Sequence, residues 1–104
     1  MKKYITRTAA ITVVVFFASL TGLAQADTYK AKCQMCHGAT GLGDTPAGKA
    51  MKAHPFNAPD VLKESDADLL TVVKNGKNKM PAFAGKLTPA QMTDALAFIH
   101  TLPK

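Results

Sequence analysis

Apolar residues run almost without interruption from Ala9 to Leu20, centred on Val13, Val14, Val15, Phe16 and Phe17. Lys2, Lys3 and Arg7 precede this run, and Ala24-Gln25-Ala26 follows it. A basic start, an apolar centre and small residues around a polar one are the three parts of a secretory leader, and they predict cleavage after Ala26. The run covers twelve residues. A membrane-spanning helix needs about 20, so a cleaved leader is favoured over a retained anchor.

Beyond the leader the pattern turns helical in three places. Asp27 to Lys32 predicts a short helix, capped by Asp27 or Thr28. Ser65 opens a second helix, with Asp66 and Asp68 in the first turn, where carboxylates suit the helix dipole. Its Leu69, Val72 and Val73 share one face, Lys74 lies in the last turn, and Gly76 offers a left-handed stop. Thr88 opens the third, with Pro89 at the first helical position and Gln91 completing a capping box. Met92, Ala95, Leu96 and Ile99 form its apolar stripe, with Phe98 and Leu102 beside it, and Pro103 ends it.

The intervening segments read differently. Gly38 to Gly48 holds four glycines and Pro46, which predicts a turn-rich loop. Lys49 to His54 predicts one or two helical turns ending at Pro55, and Phe56, Pro59, Val61 and Leu62 predict apolar contacts in an irregular stretch. The fold class expected is all-α, with three to four short helices. Tyr29 on the first helix should pack against the last, where small Ala95 permits close approach.

The chain has 104 residues, enough for a leader at 1–26 and one small domain at 27–104. A domain of this size builds only a marginal core from side chains alone. The net charge of +6 is partly the leader's. Removing Lys2, Lys3 and Arg7 leaves ten basic against seven acidic residues, a net of +3. No basic run with interleaved aromatics is present, so nucleic-acid binding is not indicated.

The chemistry is concentrated in Cys33-Gln34-Met35-Cys36-His37. Two thiols three residues apart with a histidine directly after form the attachment signature of a c-type haem. One helical turn brings both sulfurs to one edge of a porphyrin, where each thiol adds to a vinyl group. His37 then lies under the iron as a ligand. Three other readings exist. A dithiol redox site wants a βαβ pattern, which is not visible. A zinc site wants a second ligand pair. A disulfide closing so small a loop contributes little. A buried haem would also complete the marginal core, so the chain without haem is expected to be largely unfolded.

Lys79-Met80-Pro81 supplies the second constellation. The proline keeps Met80 out of a helix, in an extended or turning loop. A loop thioether opposite a histidine makes a second axial ligand, soft and weakly donating, which favours reduced iron and raises the potential. Met35, Met51 and Met92 are the other methionines of the mature chain, and a methionine at helical spacing is more often core than ligand. The carbonyl of Pro46 is the candidate acceptor for the second ring nitrogen of His37. His54 is read as a surface or propionate-contacting residue, and His100 as a partner of the helix dipole.

With these motifs in hand, the chain from Asp27 to Lys104 resembles the class I c-type cytochromes, most closely the short bacterial c551, c553 and c6 kinds. The resemblance rests on the attachment motif, Lys79-Met80-Pro81, Tyr29 before the motif, and Phe98 with Ile99 in the last helix. It implies a small cytochrome c fold around one covalent haem, with crossing terminal helices. The implied function is one-electron shuttling between larger redox partners, met transiently, by a monomer that is not an enzyme. With the leader, it implies a periplasmic location and donors and acceptors in the membrane or periplasm. Two departures stand out: there is no tryptophan, and the helix before the motif is short. The alternatives are a haem subunit of a larger oxidoreductase, and a haem enzyme or gas-binding module should Met80 not bind iron. Lys74, Lys77, Lys79 and Lys86 flank Met80 with no acid between Leu69 and Thr93, a basic collar suited to acidic partners.

Overall fold

Hydroxyl and proline residues set where most of the helices begin. The computed structural model describes residues 18–104, with side chains from residue 22. The predicted leader's basic start and its centre, Val13 to Phe17, lie outside the described residues. Six helices follow in order among them: α1 (Ala18–Lys32), α2 (Gln34–His37), α3 (Pro46–Met51), α4 (Pro59–Leu62), α5 (Asp66–Asn75) and α6 (Pro89–His100). There is no strand in this part of the chain, only the isolated bridges Lys77 to Met80 and Ala84 to Leu87. None of these helices is long and apolar enough to cross a membrane.

The principal helices α5 and α6 are as the sequence predicts. Ser65 accepts from the Asp68 amide at 3.2 Å, and Gly76 closes α5 at φ 74°. Thr88 and Gln91 form the full capping box, with bonds of 2.9 and 3.1 Å, and Pro89 follows the cap. Helix α1 differs. It begins at Ala18 rather than Asp27, because Leu23, Ala24, Gln25 and Ala26 all favour helix. Thr28 is therefore inside it and not a cap: its hydroxyl donates back to the Ala24 carbonyl at 3.2 Å. Helix α3 likewise begins earlier than Lys49, at Pro46, and the stretch expected to be irregular contains the single turn α4.

The core lies where α1 crosses α6. Tyr29, Leu87, Met92, Ala95 and Leu96 are its buried apolar residues. Tyr29 is fully buried, with its ring 4.9 Å from that of Phe98 and 6.5 Å from that of Phe56. Ala95, 1% exposed, has no bulk to hold the helices apart. The apolar face of α5, Leu69, Val72 and Val73, is only half-buried. A side-chain hydrogen bond between His100 and Asp66 at 2.8 Å ties the end of α6 to the start of α5, so His100 serves a side-chain partner and not only the dipole.

Candidate functional site

Helices α1 and α2 are nearly one helix, and the attachment motif sits on their junction. Cys33 donates to the Tyr29 carbonyl at 2.8 Å, and its own carbonyl accepts from Cys36 at 3.3 Å and His37 at 3.0 Å. Cys33, Cys36 and His37 are thereby held on successive turns, each half-buried. Both thiols are free. Burial pushes the Cys33 thiol up to about 11.

The segment after His37 folds back under it. Gly38, at φ 83°, ends α2. The His37 carbonyl accepts from Gly43 at 2.8 Å, Gly41 accepts from Phe56 at 2.9 Å, and Gly48 accepts from Ala53 at 2.8 Å. Thr45 fastens α3 to the motif: its hydroxyl contacts the Met35 carbonyl at 2.6 Å and that of Cys36 at 3.2 Å, and accepts from the Gly48 amide at 2.9 Å. Gly48 is required here, because a Cβ would collide with the Cys36 carbonyl.

His37 stacks on Phe56, ring centroids 4.4 Å apart and planes 21° from parallel. Burial holds the imidazole below its usual range, and the nearby backbone of His54 opposes part of that shift. The ring is thus neutral near pH 7, the form that binds metal. Its Nδ1 is buried, and the backbone group that bears on the ring is that of His54. The expected bond to the Pro46 carbonyl is not formed. Pro46 occupies the first position of α3, and a carbonyl there points along the axis into the helix ladder. His54 is exposed and pairs with Asp60 at 3.0 Å.

Met80 stands on a separate loop clamped at both ends to the close of α5. Lys77 and Met80 exchange backbone bonds of 3.2 and 2.9 Å around Asn78, which is left-handed at φ 53°. Phe83 and Ala84 then donate to the carbonyls of Val73 and Lys74 at 3.0 and 3.1 Å. Gly76 lets the loop close, since a Cβ on it would lie 2.6 Å from the Met80 carbonyl. Met80 is half-buried. Met92 belongs to the core at 3% exposure, while Met35 and Met51 face outward at 76% and 43%.

The model of the family described as cytochrome c oxidase, cbb3-type, subunit III matches residues 22–99. Cytochrome c6 of Thermostichus vulcanus is 32% identical over 106 aligned residues, covering 95% of this chain and 91% of that one. The chain belongs to the class I c-type cytochromes. Cytochrome c6 of Thermosynechococcus vestitus is 31% identical over the same shares, and that of Synechococcus elongatus 36% identical over 71% of this cytochrome and 82% of its own length. Cytochromes of this class carry one covalently attached haem c. The donor set fits that group: two free thiols one turn apart, a neutral imidazole following them, and a thioether on a clamped loop. The zinc and dithiol readings find no support, since no group of three or more potential ligands and no strand occur among the described residues.

Two residues that matter to this site were not singled out by the motifs. Thr45 was signalled by Thr45-Pro46, the same cap-and-proline pair that marks α6 at Thr88-Pro89. Phe56 carried no signal of its contact with His37, because the pairing comes from a loop closing across nineteen positions.

Proposed function

We propose that this cytochrome is a soluble carrier of single electrons working outside the cytoplasmic membrane. Its haem is joined to Cys33 and Cys36 and ligated by His37 and Met80. When bound, the haem iron exchanges one electron between its ferrous and ferric states. The observation that carries the reading is the doubly clamped Met80 loop, which suits a permanent sixth ligand. His37 donates from a neutral ring, and Met80 offers a weak, uncharged sulfur that favours the reduced metal. A haem iron held by both His37 and Met80 would offer oxygen or peroxide no place to bind, in keeping with an electron-transfer protein and not an enzyme. The leader-like pattern of residues 1–26 supports export to the periplasm, and cleavage after Ala26 would leave 27–104 as the working domain.

A second reading, a haem subunit of a larger oxidoreductase, is favoured by the description of the matching family as an oxidase subunit. Native-size chromatography of the exported protein separates the two: a free carrier elutes at the size of one chain. The ligand assignment is tested by spectroscopy of exported material. A pyridine haemochrome of the thioether type and a near-infrared methionine-to-ferric-iron band are expected. The band should vanish in Met80→Ala and persist in Met51→Ala. A band that survives Met80→Ala overturns the assignment.

A further inference from the structure

Asn75 and Gly76 form the one Asn-Gly pair in the chain, at the close of α5. In a flexible segment such a pair is chemically unstable. The backbone nitrogen of the glycine attacks the side-chain carbonyl carbon of the asparagine, and glycine has no side chain to obstruct the approach. A bond forms from that nitrogen to Cγ of Asn75, the side-chain amine leaves as ammonia with the amide proton, and a five-membered imide results. Water then opens the ring at either carbonyl, to aspartate or to isoaspartate. No electron changes hands, and water is the only co-reactant.

The fold opposes this step while leaving the asparagine exposed. Asn75 is the last residue of α5. A helical side chain leans toward the N-terminus, while the next backbone nitrogen lies toward the C-terminus. The Gly76 N–H is also occupied, donating to the Val72 carbonyl at 2.8 Å. Attack requires a turn about the Asn75 Cα–C bond that breaks this hydrogen bond and swings Gly76 and Lys77 out of line. The surroundings resist that turn. Just before the rotating bond, the carbonyls of Val73 and Lys74 accept from the amides of Phe83 and Ala84 at 3.0 and 3.1 Å. Just after it, Lys77 and Met80 are joined by backbone bonds of 3.2 and 2.9 Å. The Met80 carbonyl stands 2.6 Å from where a Cβ on Gly76 would lie, so the loop closes directly over the pair. Rotation at Asn75 therefore has to lift the Met80 loop off α5.

We propose that Asn75-Gly76 is a latent deamidation site, shut while the Met80 loop is clamped to α5 and reactive when that loop opens. The inference goes beyond the carrier reading and holds whether or not Met80 binds iron. Its product is a carboxylate at the C-terminal end of α5, where the helix dipole disfavours negative charge. The isoaspartate form also lengthens the backbone by one carbon where the loop closes. Each opening that goes to completion thus leaves the clamp weaker than before.

The test uses the exported holoprotein in mildly alkaline buffer, with conversion at position 75 followed by mass spectrometry of the fragment that carries it. Asn57, followed by Ala58, and Asn78, followed by Lys79, are internal controls. Conversion tracks the population of the open form, so the folded protein should react about tenfold or more slowly at Asn75 than the same protein unfolded in urea. Ala84→Pro removes the N–H that meets Lys74, and should speed conversion about threefold or more. Phe98→Leu loosens the α1–α6 crossing instead, and should leave the rate at Asn75 unchanged. Equal rates in the folded and unfolded protein would overturn the proposal. So would an unchanged rate in Ala84→Pro, or an equal acceleration in Phe98→Leu, which would place the gate in global unfolding. Amide hydrogen exchange of the unsubstituted protein decides the matter should Ala84→Pro not fold. The Gly76, Phe83 and Ala84 amides should share one protection, lower than that of the Cys33 amide at the α1–α2 junction. Gly76 protected to the same degree as Cys33 would overturn the proposal as well.

Discussion

The phenol of Tyr29 donates a 2.6 Å hydrogen bond to the carbonyl of Gly38, the residue directly after His37. The same side chain is the most deeply buried in the α1–α6 crossing. Core and site thus share one residue: the packing that joins the terminal helices also pins the end of the attachment segment.

Removing that hydroxyl leaves a buried carbonyl without its partner. Tyr29→Phe should lower unfolding stability by about 1–3 kcal/mol, read from denaturant midpoints at pH 7. The pH dependence follows from the same burial, which pushes the phenol from 10.0 up to about 12. A folded-state value above the unfolded one means the contribution is whole below pH 10 and is lost as pH rises through about 12. Unfolding midpoints should therefore decline across that interval in the native protein, and more shallowly in Tyr29→Phe.

Thr45 does two jobs with one oxygen, holding the carbonyls of Met35 and Cys36 and capping α3. Thr45→Val keeps the shape and loses both. The expected cost is about 1–2 kcal/mol, with Thr45→Ser close to native. Proteolysis at low protease concentration should show faster cleavage between residues 38 and 52 in the valine variant only.

Two glycines with nearly equal φ should respond very differently to alanine. Gly85, at φ 82°, has nothing within 4 Å of an added Cβ, so Gly85→Ala bears only the left-handed conformation, about 1 kcal/mol. Gly76, at φ 74°, would also press on Met80 and Ala82. Gly76→Ala should cost about 2 kcal/mol or more. It should also weaken the near-infrared methionine band at temperatures where Gly85→Ala leaves it whole. Equal bands in the two variants would show that the loop closure does not govern Met80.

Much of this was legible in the chain. Helices α5 and α6 announce themselves because their caps and stops are local: Ser65 and Gly76, Thr88 and Gln91 lie within one turn of the ends they define. The proposed haem-binding donors stand out for the same reason, as Cys33, Cys36 and His37 fall within five consecutive residues. The start of α1 is not marked in the chain, since helix-favouring residues continue through Ala24-Gln25-Ala26 and no local signal halts them. The local pair Thr45-Pro46 opens a helix and draws the Pro46 carbonyl into it. The stacking of Phe56 on His37 was beyond reach, because only tertiary closure of the glycine-rich loop brings the two together.

The lysines flanking Met80 bear on partner choice. Lys74, Lys77, Lys79 and Lys86 are all exposed, and none is in an ion pair among the described residues. Unpaired like charges around one loop project a field that reaches about 8 Å at physiological salt. Electron-transfer rates to an acidic redox protein should fall as salt rises, and Lys77→Glu with Lys79→Glu should lower the rate at low salt and flatten its salt dependence. Rates unchanged by either manipulation would remove steering from the account.

The strongest dependence should be on the haem itself. Among the described residues only five apolar side chains are buried, all at or beside the α1–α6 crossing. The apolar face of α5 remains half-buried. Fully burying a side chain of the Leu or Val type contributes about 1.5–3 kcal/mol. Ordering one residue costs about 1–2 kcal/mol of backbone entropy. So small a core does not hold a chain of this length, and an apolar haem, attached at Cys33 and Cys36 as proposed, would supply further burial. Cys33→Ala combined with Cys36→Ala prevents that attachment while leaving every capping residue in place. The double variant should show weak far-ultraviolet helical signal and broad, non-cooperative melting, where the haem-bearing protein melts sharply. A helical double variant with a cooperative transition would mean that the α1–α6 contact suffices alone, and that haem serves only the chemistry.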